Sequence, residues 1–353
     1  MRRLLLSCLA VLLSACSQGI TVPPARTLSE FESRLETLRS DYHVPGLSAI
    51  IDGPSGTVWE HAYGQADIAT GKPVSAETMF HLASLTKPMA AVIALQLDAE
   101  GVLDLDAPAA RYGINVGGAD SVRLWHLLSH TSESTPPGTA YSYSGNRYGM
   151  IEDAFTRAAG RTFAQLFDAR IRAPLQLTST APNPRSSSAA QIGLDPAVYG
   201  ARLARGYSYG SGSYTLITYE SYFGPAAGMI ATPRDVVRFS RALDGTDLLR
   251  SAERTRMWTA IRTPSGKILP YGIGWFVQAY HGETVLWHYG LWTGASALII
   301  KLPSRGLTFV VLGNSPNLSN PFPLGAGDVT ASPFAMLFLS SFAGGPLAAS
   351  VHD

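Results

Sequence analysis

Met79-Phe80-His81-Leu82-Ala83-Ser84-Leu85-Thr86-Lys87-Pro88 is apolar up to its serine and then opens a long helix-like apolar stretch reaching Leu97. Residues three apart on a helix share a face, so the Ser84 hydroxyl and the Lys87 amine can meet. Of the 27 basic residues only four are lysines, and one of the four falls three residues after a serine. A desolvated lysine can lose its proton whereas an arginine cannot, which suits the pair to act as nucleophile and base. A helix N-terminus favours negative charge and disfavours a protonated lysine, and both effects help a serine alkoxide form. Alone, Ser-x-x-Lys is a weak motif. The same residues also read as a helix cap followed by a solvated lysine.

Two further stretches extend the constellation. Pro137-Gly138-Thr139-Ala140-Tyr141-Ser142-Tyr143-Ser144 offers a tyrosine on a loop; a tyrosinate held between two cations could shuttle protons. Trp287-His288-Tyr289-Gly290-Leu291 reads as a short strand ending in glycine, where backbone N–H groups can complete an oxyanion hole. With these come Val44-Pro45-Gly46-Leu47, Ala62-Tyr63-Gly64-Gln65-Ala66-Asp67, His126-Leu127-Leu128-Ser129-His130-Thr131-Ser132, Ala231-Thr232-Pro233-Arg234-Asp235 and Tyr271-Gly272-Ile273-Gly274-Trp275, in that order. The ordered set resembles the serine β-lactamase-related family: class C β-lactamases, D-alanyl-D-alanine peptidases and their esterase relatives. The resemblance runs from about Phe31 to Asn314.

That resemblance implies that Ser84 forms an acyl-enzyme and that Lys87 is its base or proton relay. It implies that Tyr143 assists Lys87 and protonates the leaving group. The N–H groups of Ser84 and Leu291 would form the oxyanion hole, a device worth about 3–4 kcal/mol per donor in comparable hydrolases. His288-Tyr289-Gly290 stands where class C enzymes carry Lys-Thr-Gly. Two departures matter. Gly145 replaces the asparagine of the family's Tyr-x-Asn motif, and Asn146 comes one residue late. His288 replaces the lysine that would supply a fixed positive charge for a substrate carboxylate, and a histidine is mostly neutral at pH 7. Both departures favour a neutral ester or amide over a β-lactam. The expected activity is therefore carboxylesterase-like, with a β-lactamase or D-Ala-D-Ala or D-amino-acid peptidase as the alternative. A catalytically silent envelope lipoprotein that binds cell-wall or lipid fragments is the alternative of another class.

The chain has 353 residues, 46% hydrophobic and 15% charged, with a net charge of +1 and no basic tract. That fits a large globular core and argues against nucleic acid as a partner. Arg2-Arg3, the apolar run Leu4–Leu13 and the small residues before Cys16 have the layout of a secretory signal. They resemble a bacterial lipoprotein signal, which implies a cleaved peptide over 1–15 and acylation of Cys16. The expected result is a lipid-anchored protein of the cell envelope. Ser17 after the cysteine leans towards the outer membrane, facing the periplasm. Cys8 lies in the signal, so no internal disulfide is expected. Nothing calls for a cofactor or a structural zinc.

Residues 16–28, with Pro23-Pro24, read as a tether, and 29–345 as one domain. Ser29–Ser40 has helical spacing with Ser29 as cap. Leu47–Ile51 and Thr57–Tyr63 flank Asp52-Gly53-Pro54-Ser55-Gly56 as a hairpin. Helices are expected over Ser84–Gly101, Val122–Ser129, Asn146–Ala159, Phe163–Ile171, Pro233–Leu243 and Ser332–Phe342. Strands are expected over Ile273–Tyr280, Thr284–His288, Ala295–Lys301 and Leu307–Leu312. The order predicts an α/β fold of the β-lactamase and penicillin-binding-protein type: an antiparallel sheet flanked by helices, with an all-helical subdomain over about 105–225.

Gly206-Tyr207-Ser208-Tyr209-Gly210 matches the Gly-x-Ser-x-Gly elbow, with Asp235 and His288 following in order. Its flanks do not read as a strand entering a helix, so the stretch is expected to be a loop near the pocket mouth. There Tyr207, Tyr209, Tyr214, Tyr219 and Tyr222 either line a groove or simply pack. His126 and His130, four apart on an expected helix, lack a neighbouring carboxylate or third histidine and read as structural. Trp292 narrows the pocket or belongs to the core.

Overall fold

The computed structural model describes residues 20, 22–117 and 121–343; the expected signal peptide, with Cys16, lies outside them. Helix α1 (Leu28–Asp41) starts at Thr27, whose hydroxyl accepts from the Glu30 N–H at 3.1 Å, so the cap is Thr27 and not Ser29. Strands β1 (Gly46–Gly53) and β2 (Gly56–Asp67) form the expected antiparallel hairpin, extended at its edge by β3 (Lys72–Pro73). Strand β4 (Phe80–His81) leads through a 3-10 turn, Ala83–Thr86, into α2 (Lys87–Ala99).

The excursion that follows carries α3 (Leu124–Leu128), α4 (Gly145–Gly149), α5 (Ile151–Ala159) and α6 (Phe163–Phe167), which runs on into a π-turn over Asp168–Arg172. The single helix expected over Asn146–Ala159 is broken at Met150, whose N–H turns to Arg147 O and Tyr148 O. Gly149, a poor helix former, sits at the joint. The excursion also holds strand β5 (Thr180–Pro182), α7 (Pro196–Gly200) and the hairpin β6 (Gly206–Gly210) and β7 (Ser213–Ile217), so it is not purely helical. Ser211 and Gly212 at that hairpin's tip both have positive φ, the two-residue turn that matches strand twist.

The chain then returns through β8 (Met229–Ala231), α8 (Pro233–Asp244, capped by Thr232) and α9 (Ser251–Trp258). It ends in β9 (Phe276–Tyr280), β10 (Glu283–Trp292), β11 (Ala295–Leu302), β12 (Leu307–Gly313) and α10 (Pro333–Phe342). The main sheet runs β3-β2-β1-β12-β11-β10-β9, each neighbour antiparallel. Successive side chains of a strand point to opposite faces, and here both faces are covered. Leu47, Ala49, Ile51, Leu298, Ile300, Phe309 and Val311 meet α1 and α10. Ile50, Ile299 and Val310 meet α2, α8 and α9. Helix α2 is therefore buried on all sides between the sheet and the excursion, which fixes the turn at its head.

Candidate active site

Ser84 stands on that turn, and the turn is held from both ends. Strand β4 pairs with β8, Phe80 opposite Ala231. Leu82 N–H donates to Met229 O at 2.8 Å, and the Thr86 hydroxyl donates to Ala83 O at 2.8 Å while accepting from Met229 N–H. Ala83 adopts φ +49°, a left-handed conformation that costs a non-glycine residue about 1–3 kcal/mol and persists only where the surroundings impose it. Its N–H donates to His81 Nδ1 at 3.0 Å, so His81 helps impose it. The sequence predicts an α-helix from Ser84; the structure places a 3-10 turn there. Pro88 has no N–H to give to Ser84 O, and Lys87 N–H takes that carbonyl instead with the tighter spacing.

Lys87 is fully buried. Its Nζ donates to Ser84 Oγ at 2.9 Å and to Ala226 O at 2.8 Å, above the rings of Tyr143 and Tyr148. The Tyr148 hydroxyl donates to Lys87 O at 2.8 Å. No carboxylate pairs with the amine among the described residues, and burial pulls its pKa down to about 7. Near neutral pH the free amine is thus within reach beside the serine hydroxyl. Tyr143 has a buried hydroxyl with no hydrogen-bond partner of full geometry. Burial, then the neighbouring Tyr289, raises its pKa well above the ordinary phenol value, and the nearby Ser84 hydroxyl offsets only part of this. Tyr143 is thus a neutral phenol. The tyrosinate between two cations expected from the sequence has, among the described residues, no second cation to hold it.

His288 would be that second cation, and the structure keeps it neutral. It is sealed from solvent, with Nδ1 2.7 Å from Tyr289 O and Nε2 2.8 Å from the Tyr271 hydroxyl. A carbonyl only accepts, so Nδ1 carries the proton and Nε2 accepts from Tyr271. Burial first, then Lys87, holds its pKa well below the usual imidazole range. It does not line the cleft, in contrast to its expected place facing a substrate carboxylate.

Strands β9 and β10 join through His281 and Gly282, both at positive φ, and pair only as far as Trp287 opposite Phe276. Beyond that point the β10 edge is open. Alternation from the hairpin puts the Leu291 N–H on this edge, pointing away from β11. Gly290 lets the strand cross directly over the Ser84 turn: a Cβ there would fall well inside contact distance of Leu82 O. Ser84 and Leu291 consequently share one cleft of about 540 Å³ with Asn146, Asp153, Glu220, Tyr222 and Trp292. Asn146, although one residue late, reaches this cleft from the first turn of α4.

The remaining candidates of the sequence fall in different places. His130 lies past the end of α3 at φ +57°; its Nδ1 accepts from Ser144 N–H at 3.1 Å and its ring packs 4.2 Å from that of Tyr143. His126 turns instead to the Arg123 N–H, so the four-residue spacing brings no metal pair together. Of the five tyrosines, only Tyr222 lines the cleft, stacked on Trp292. Tyr219 is buried and Tyr209 stacks on His43. Ser208 sits within the β6–β7 hairpin, opposite Thr215, and not at a strand-to-helix turn.

The beta-lactamase family profile matches residues 31–327. The chain belongs to the beta-lactamase family. It is a serine hydrolase of that family. Penicillin-binding protein 4* of Bacillus subtilis is 23% identical over 331 residues, covering 80% of this chain and 71% of its own. Esterase EstB of Burkholderia gladioli is 39% identical over 93 residues, 25% of this chain and 24% of that one. In fold, a D-stereospecific amidohydrolase from Streptomyces superposes with a TM-score of 0.69 at 22% identity, over 89% of this chain and 98% of its own.

Proposed function

We propose that this beta-lactamase-family hydrolase acts as a carboxylesterase-like enzyme on small esters or amides, through an acyl-enzyme on Ser84. The observation that carries the reading is Lys87, buried without a carboxylate partner and 2.9 Å from Ser84 Oγ. The free amine takes the Ser84 proton as Oγ attacks the carbonyl carbon, and the Ser84 and Leu291 N–H groups hold the resulting oxyanion. On collapse the C–O or C–N bond breaks. Tyr143 gives its proton to the leaving group and recovers one from the Lys87 ammonium. Water then attacks the acyl carbon by the same relay in reverse order, freeing the acid and Ser84. The neutral, walled-off His288 supports preference for substrates lacking a carboxylate at that position.

The reading predicts a pH profile. Only the neutral amine is the base, so kcat/KM for a neutral aryl ester should rise with pH as a single ionisation centred at about 7, then level off. A flat profile between pH 5 and 9 contradicts it.

We further propose that the protein is held in the envelope by lipid on Cys16; of the expected tether, Val22 and Ala25 pack on the body and the Ala25 N–H donates to Ser341 Oγ. Metabolic labelling with an alkyne fatty acid should mark the wild-type protein and leave Cys16→Ser unmarked; equal labelling of both rules the anchor out.

A further inference from the structure

The charges lining the cleft favour a substrate of one sign. Its charged side chains are Lys87, Asp153 and Glu220. Lys87 is at the bottom, its amine engaged with Ser84 and Ala226. Asp153, in the first turn of α5, and Glu220, on the segment after β7, come from separate parts of the chain. Neither has a lysine or arginine partner among the described residues. Arg147, the cation nearest in sequence to Asn146, is turned to Glu133 at 3.6 Å and does not line the cleft. The same wall carries a second kind of cation-seeking surface. Trp292 and Tyr222 stack with ring centroids 6.0 Å apart and planes 15° from parallel, and Tyr222 is 37% exposed. Aromatic faces attract ammonium groups, most strongly at tryptophan.

We infer that the substrate of this cleft carries a positively charged amine, held by Asp153, Glu220 and the Tyr222–Trp292 rings while its carbonyl meets Ser84. The inference rests on the hydrolase reading above and adds the substrate's charge. It also disfavours the opposite sign: an anionic substrate meets two carboxylates and, among the described residues lining the cleft, no fixed cation to compensate them.

Matched pairs of substrates test it. Acetylthiocholine and its uncharged isostere 3,3-dimethylbutyl thioacetate place the cation on the leaving side. Alanine p-nitroanilide of either hand and its N-acetyl derivative place it on the acyl side. Two exposed carboxylates and one ring pair give a preference of about tenfold in kcat/KM for the cationic member of at least one pair. That ratio should shrink with added salt. It should fall at least about fivefold in the Asp153→Asn, Glu220→Gln double variant, chosen because amide replacements keep shape and remove charge. Turnover with no cationic preference in either pair, or a preference that survives the double variant and high salt, overturns the inference and leaves the hydrolase reading standing. If no member of the panel is turned over and Ser84 resists a fluorophosphonate, the hydrolase reading falls and the inference falls with it.

Discussion

Lys87→Ala is expected to lower kcat/KM on a neutral aryl ester at pH 7 by at least about 10³-fold, as Ser84→Ala should, because a nucleophile and its base fail as a unit. For the same reason the double variant should be no worse than either single one. Lys87→Arg sharpens the test. It keeps a positive charge in the pocket but cannot become a free amine, so it should be as inactive as alanine. Lys87→Met keeps most of the packing around a side chain that is fully buried against Tyr143 and Tyr148, and separates lost catalysis from lost folding. Initial rates on purified variants, each checked for cooperative thermal unfolding, decide the matter. A Lys87→Ala or Lys87→Arg protein with near-normal rates removes the lysine from the mechanism.

Gly290→Ala should be nearly as damaging although its side chain touches no substrate. The added methyl collides with Leu82 O, which is backbone and is itself tied through Leu82 N–H to Met229. Ala297 lies close on the same side, so no flexible group is available to yield. Either β10 lifts from the turn, moving the Leu291 N–H, or the turn shifts and carries Ser84 with it. A displacement of about 1 Å at such a site costs on the order of 10²-fold in rate. The loss should appear mainly in kcat, since oxyanion contacts form in the transition state. The variant should also unfold at lower temperature. Full activity in Gly290→Ala would show that the β10 edge does not hold the oxyanion.

Much of this site was legible because the chemistry lies in short contiguous pieces. The three-residue step from Ser84 to Lys87, the glycine before Leu291 and the turn between β1 and β2 are local patterns. The sheet was legible as continuous apolar runs because both its faces are buried. What stayed hidden depends on contacts across long separations. Nothing near His288 announces that Tyr271 will cap its Nε2, and nothing near His81 announces that it will hold the Ala83 N–H. Asp153 and Glu220 share a cleft although they stand 67 positions apart in the sequence. The β6–β7 hairpin had a readable cue, Ser211-Gly212 between alternating tyrosines, which the glycine-rich composition around it obscured. The 3-10 turn also had one, since Pro88 must leave Ser84 O without its helical donor.

The most direct test of the central claim is fluorophosphonate labelling of the folded protein followed by peptide mapping, with Lys87→Met beside the wild type. An activated Ser84 predicts a single adduct on the peptide that carries it, formed far more slowly in Lys87→Met. An adduct on Ser208, equal labelling of both proteins, or no adduct on the folded wild type would contradict the account.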